Sequence, residues 1–170
     1  MGVIKKEKGF FRLPDLLDDL RAQAGREDEI IIQFVRPQTT GPKAEQVIAH
    51  LQNVAATDRR VRIHDGFWDE ITLTQQLAQS DRLFLDYDPE AYRHKTSGLL
   101  WLGVWHRLQI VLPRGTWLER EAVRLKADWV ARANNDDTWD QEYSERHTDD
   151  AHAYRAKLFR PFLPWVLAQK

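Results

Sequence analysis

The chain contains no cysteine and a single methionine, Met1. Disulfides, thiolate metal sites and a cysteine nucleophile are therefore excluded, and the reducing cytoplasm is the expected compartment. Charge of a dominant sign is missing too: 25 basic and 26 acidic residues leave a net charge of -1. No field of either sign exists to recruit nucleic acid or acidic lipid, so neither is an expected partner. No apolar run approaches the roughly 20 residues of a membrane span, so none is predicted. The opening residues Met-Gly-Val-Ile-Lys-Lys-Glu-Lys lack a signal-peptide core. Lys6 replaces the Ser or Thr that a myristoylation signal after Gly2 requires.

Recognisable catalytic clusters are also scarce. Glu119 and Glu121 fall two apart on an expected helix and do not share a face. His147 and His152 match no zinc-site spacing, and neither His50 nor His64-Asp65 has an assignable nucleophile. No cofactor or metal is expected.

The 170 residues are most simply one domain, with seven tryptophans that either pack in its core or face a partner. Apolar spacing predicts an alternation of helices and short strands, which implies an α/β fold: a Rossmann-like parallel sheet with helices on both faces. Helices are expected over residues 13–24, 43–56, 70–79, 97–106 and 117–133, the last capped by Thr116. Strands are expected over 29–35, 60–64, 82–86 and 108–112. Residues 134–137 read as a loop and the remainder as helical, with 147–170 a carboxyl-terminal helical segment. Only Gly2-Val3-Ile4 precedes the first charged loop, so the leading strand looks short or truncated. A fragment of a longer protein, or a half that depends on another chain, is the expectation.

Residues 87–98, Tyr-Asp-Pro-Glu-Ala-Tyr-Arg-His-Lys-Thr-Ser-Gly, lie between the apolar run Leu83-Phe84-Leu85 and a helical stretch. A strand that ends in a loop and restarts as a helix at Thr96-Ser97-Gly98 offers unpaired N–H groups, a positive dipole end and two hydroxyls. Arg93 and Lys95 add charge beside it. The expected ligand is a phosphate or diphosphate at the carboxyl edge of a parallel sheet. A plain helix cap is the alternative for 96–98, and a solvated terminus is the alternative for Lys5, Lys6 and Lys8.

The opening Gly2-Val3-Ile4-Lys5-Lys6-Glu7-Lys8-Gly9-Phe10 resembles the Gly-x-Ile-Arg-x-x-Lys-Gly segment of retaining glycosyltransferases built from two Rossmann domains, the family 4 type, where it opens the carboxyl-terminal half. Val61 to Gly66, the run Leu77-Ala78-Gln79-Ser80-Asp81, and Gln109 to Trp117 are similar to later segments of that half, in the same order. Residues 87–98 resemble a family variant, Pro-Tyr-x-x-x-x-Tyr-x-x-x-Thr-Ser-Gly, of the phosphate loop. The likeness covers about residues 2–129.

The resemblance implies a donor domain that binds a nucleotide sugar as substrate through Lys5, Lys8, Arg93, Thr96, Ser97 and Gly98. Lys5 stands where the family has arginine, and Lys8 matches its lysine. The family's acceptor site and part of its catalytic machinery lie in an amino-terminal half, so a separate domain or partner chain is implied. Two departures bear on the site. Leu102 replaces the glutamate that contacts the nucleotide ribose, and Trp101 and Trp105 replace small alanines. The alternative reading is therefore a non-catalytic interaction module on the same fold, with a Trp-rich surface suited to protein partners or a second copy.

Overall fold

A computed structural model of the chain describes residues 2–132 and 139–140. Two single-turn 3-10 segments, Lys6–Lys8 and Phe10–Arg12, lead into helix α1, Leu13–Gln23. Pro14 suits the first turn of α1, where an N–H has no helical partner to lose. Its buried face carries Leu16 and Leu17. Strand β1, Ile30–Phe34, is β-branched and apolar, and pairs in parallel with β2, Val61–Asp65, from Ile30 opposite Val61 to Phe34 opposite Asp65. Between them α2, Pro42–Thr57, buries Ala44, Val47, Ile48 and Leu51, one stripe at helical spacing. Each fully buried leucine of this kind contributes about 1.5–3 kcal/mol relative to exposure.

Helix α3, Glu70–Ala78, begins at Asp69, whose carboxylate accepts the Thr72 N–H at 2.7 Å. That bond holds the Asp69 carboxyl below its usual range. Then follow β3, Arg82–Phe84; α4, Gly98–Trp105; β4, Gln109–Pro113; α5, Trp117–Arg124; β5, Trp129–Arg132; and β6, Trp139–Asp140. Strands β3, β4 and β5 run parallel in that order, and β6 joins β5 antiparallel. Ile110, Val111 and Leu112 are buried in succession, so β4 is covered on both faces.

The fold is α/β, as expected, and the short leading strand is borne out. Val3 forms only an isolated parallel bridge with Val35, through Ile4 N–H to Val35 O at 3.0 Å and Val35 N–H to Gly2 O at 3.1 Å. The expected continuous sheet is divided, however. Among the described residues β1 and β2 form one sheet and β3 to β6 another. Two hydrophobic cores follow that division. One gathers Phe10, Leu17, Phe34, Ile48 and Leu51. The other gathers Leu85, Tyr87, Leu100, Ile110, Leu112 and Leu118.

Two further expectations are corrected. The helix expected over 117–133 ends at Arg124: Lys126 adopts a left-handed φ of 52°, and the chain returns as β5, with Trp129 opposite Ile110. Pairing with a buried neighbour strand outweighs local helix propensity in this Trp-Val-Ala run. Trp139–Asp140, expected within a helical remainder, is strand. The loop at 134–137 and the helical segment at 147–170 lie outside the described residues, as do His147 and His152.

Candidate functional site

The amino-terminal turn and the loop after β3 are fastened together at the carboxyl ends of the strands. After β3, Leu85 still donates to Val111 O at 2.8 Å, and the chain leaves the sheet at Asp86. Gly9 packs against this departure so closely that a Cβ there would lie 1.9 Å from Asp86 O. Its left-handed φ of 78° and the absence of a side chain both serve that approach. The Asp88 N–H donates to Glu7 O at 2.9 Å. Arg12 completes the joint, donating from Nε to Asp86 Oδ2 at 2.9 Å and from Nη2 to Asp86 O at 2.7 Å. A guanidinium fork explains why one side chain grips both the carboxylate and the main chain.

The loop is internally ordered. Asp88 accepts the Ala91 N–H at 2.8 Å on Oδ1 and the Tyr92 N–H at 2.9 Å on its carbonyl, closing a turn at Pro89-Glu90. Tyr87 and Tyr92 are buried with ring centroids 4.3 Å apart. Burial raises both phenols, Tyr92 to about 12, where the neighbouring Tyr87 and Glu7 add to the effect. The Tyr87 and Ser97 hydroxyls are 3.3 Å apart, pinning the loop's far end to its start. Trp117 N–H donates to Tyr92 O at 2.9 Å, and Arg120 donates to Arg93 O, so the start of α5 holds the middle.

The candidate residues divide between two places. Lys5 is exposed on the turn. Lys8 is half-buried and lines a cavity of about 730 Å³ together with Asp86 and Tyr87. Burial, then the neighbouring Lys5 charge, hold its ammonium below the usual lysine range against the opposing pull of Glu7. Arg93, Thr96 and Gly98 are exposed on the second half of the loop, and Ser97 is half-buried. The turn carrying Lys5 and Lys8 is tied to the loop at Asp86 and Asp88, while 96–98 opens α4 and is tied back through Tyr87. Ser97 occupies the cap position with φ -143° and ψ 125°, but its side chain does not cap α4. Its hydroxyl serves Tyr87 instead, which corrects the simple cap reading and leaves the first turn of α4 without a side-chain cap. Lys95 lies 5.7 Å above the Tyr92 ring.

Other residues have structural work. Trp101 packs against the second core, with the Arg124 guanidinium 5.9 Å above its ring. Leu102 on α4 is exposed at 36%. Glu121 is buried and receives Arg124 at 2.8 Å; Glu119 accepts the Gly115 N–H at 2.7 Å. His64 stacks on Trp68 at 5.1 Å near the end of β2. Sequence reasoning missed the clamp made by Arg12 and Asp86, and it placed Tyr87 only as the start of the loop. The signal for the clamp was the glycine at Gly9 beside two aromatics, which marks a backbone approached closely from outside, but it does not name the approaching segment.

No family model and no curated protein matches the chain.

Proposed function

We propose that the chain is a glycosyltransferase donor domain, binding a nucleotide-activated sugar through Lys5, Lys8, Arg93, Thr96, Ser97 and Gly98. Transfer would use an acceptor held by a separate domain or partner chain. In that reaction the bond from the anomeric carbon to the diphosphate breaks, and the departing nucleoside diphosphate gains negative charge. Cations and oriented N–H groups stabilise that charge. The observation that carries the reading is the joint at Gly9, Asp86 and Asp88, which seats a lysine-bearing turn against the loop opening α4, at the carboxyl ends of parallel strands. Partial burial of Lys8 strengthens its field on a neighbouring anion. Calorimetric titration of the folded chain with nucleoside diphosphates and nucleotide sugars tests the reading. Saturable binding is expected, weakened about 10-fold or more in Lys8→Ala. No heat at millimolar ligand would overturn it.

A second reading, a protein-interaction module on this fold, draws on one observation: Leu102 at 36% exposure and Val123 at 56% lie on α4 and α5, which touch. Light scattering of Leu102→Ser beside the unaltered chain separates the two, because a surface that self-associates loses mass on that change and a donor domain does not.

A further inference from the structure

The near-neutral total of the chain, from which no acidic-lipid partner is expected, averages two unlike regions. Residues 93–132 hold eight basic and three acidic side chains, a net of +5; the whole chain carries -1, so the remainder carries -6. The three acids are withdrawn from the surface. Glu121 is buried and takes Arg124 at 2.8 Å, half-buried Glu119 accepts the Gly115 N–H at 2.7 Å, and half-buried Asp128 has its Oδ1 turned inside. The bases stay outside. Apart from Arg93, which the donor-site reading uses, the exposed charged residues over 94–131 are Lys95, Arg107, Arg120, Arg124 and Lys126, all basic.

The topology gathers these onto one face. Strands β3, β4 and β5 are parallel neighbours in chain order, and right-handed crossovers set α4 and α5 on the same side of that sheet. The two helices touch, with the Arg124 guanidinium 5.9 Å above the Trp101 ring. Leu100 and Val104 mark the inward side of α4, and Leu118 and Ala122 that of α5. The outer side keeps Leu102 on α4 and Arg120, Val123 and Arg124 on α5. Arg107 and Lys126 follow the helix ends, just ahead of β4 and β5. A water-facing helix ordinarily turns polar side chains outward. Helix α4, Gly-Leu-Leu-Trp-Leu-Gly-Val-Trp, has no charged residue to turn, and Leu102 is its large exposed side chain.

Apolar side chains ringed by cations fit an anionic lipid surface, where the cations meet headgroups and the apolar groups enter the acyl boundary. A protein partner favours a contact core depleted of charge, whereas Val123 adjoins Arg124 and stands one turn from Arg120. Single-stranded nucleic acid favours open aromatic faces for stacking, whereas the Trp101 ring packs against the core under Arg124.

We infer that the outer face of α4 and α5 docks on an anionic membrane surface, with Arg120, Arg124 and Lys126 at the headgroups and Leu102 and Val123 beneath them. The face shares no residue with the donor site. It takes Leu102 and Val123 from the protein-interaction reading and assigns them lipid.

Co-sedimentation of the full chain with vesicles of equal parts phosphatidylglycerol and phosphatidylcholine tests it. Saturable binding is expected at low salt, and binding at least about 10-fold weaker in about 1 M salt or on phosphatidylcholine alone. Arg120→Glu combined with Lys126→Glu should weaken it at least about 10-fold; Lys126→Glu alone, which leaves the Arg120 bond to Arg93 O intact, should weaken it about 3-fold. Arg26→Glu combined with Arg59→Glu makes the same change in net charge on exposed residues ahead of β1 and β2 and should bind like the parent chain. Equal weakening by the two double variants, equal binding to phosphatidylcholine alone, or no binding to the anionic vesicles overturns the inference. A DNA duplex or a polyglutamate peptide that binds through Arg120 and Lys126 while vesicles do not reassigns the face and overturns it as well. Calorimetry with nucleotide sugars and light scattering without vesicles read the other two proposals separately, so the failure of one leaves the others standing.

Discussion

Gly9→Ala tests the joint on which the candidate site rests. The new Cβ would stand 1.9 Å from Asp86 O, so the backbone there must retreat by about 1.5 Å to reach ordinary contact near 3.4 Å. Asp86 O is a backbone atom held by Arg12 at 2.7 Å, and its neighbour Asp88 is held by Glu7 O at 2.9 Å; such a retreat stretches both bonds. The charged one is worth about 1.5–3 kcal/mol and the neutral one about 0.5–1.5. A left-handed φ of 78° adds about 1 kcal/mol for any residue with a Cβ. Because the two bonds are weakened rather than abolished, the expected total is about 3–4 kcal/mol. For a chain of this size each kcal/mol lowers Tm by about 2–4 °C, so the shift is about 6–16 °C. Gly115→Ala is the control: its φ is 76° and nothing lies within 4 Å of its Cβ, leaving only the conformational cost of about 1 kcal/mol. Urea unfolding of both variants gives the comparison. If the two agree within about 0.5 kcal/mol, the close approach of the turn to the loop is not what holds the site together.

Thr116→Ala removes a buried hydroxyl that accepts the Glu119 N–H at 3.1 Å and donates to Pro113 O at 3.0 Å; urea unfolding should show a loss of about 1–2 kcal/mol. Gly103→Ala gains up to about 1 kcal/mol of helix propensity, but its Cβ meets the movable end of Leu83 at 2.8 Å, so the net change in urea midpoint should be small, within about 1 kcal/mol. Asp58 accepts from Arg60 at 2.8 Å and Arg21 at 3.0 Å, hydrogen bonds that hold its carboxyl well below the ordinary 3.8. A depressed carboxyl stabilises the folded chain above the unfolded value and loses that contribution as pH falls through the folded one. Thermal melts should therefore weaken below pH 3.8, with a shallower decline in Asp58→Asn.

The candidate loop was legible because its markers are local. Asp88-Pro89 favours a turn from its own two residues, and Thr96-Ser97-Gly98 before an apolar run marks a helix start. The apolar stripe of α2 and the Thr116 start of α5 were equally local, whereas the Asp69 cap of α3 shows only in the structure. What Ser97 does was not legible: its hydroxyl is taken by Tyr87, ten residues away, because burial of that phenol demands a partner. Strand β5 was hidden for a related reason. Residues 128–132 carry no glycine or proline to stop the preceding helix, and only the parallel pairing with Ile110 to Pro113 draws them out as strand.

By itself the sequence determined the α/β class, the short leading strand and the positions of most helices, because hydrophobic period, caps and turn residues act over a few neighbours. Tertiary structure alone decided that the sheet is divided around a cavity, that Gly9 and Arg12 clamp Asp86, and that Lys8 faces the cavity while Arg93 and residues 96–98 lie on the outer half of the loop. These depend on pairings between residues far apart in the chain. Which distant edge a strand meets is set by the packing of the whole, not by any local pattern.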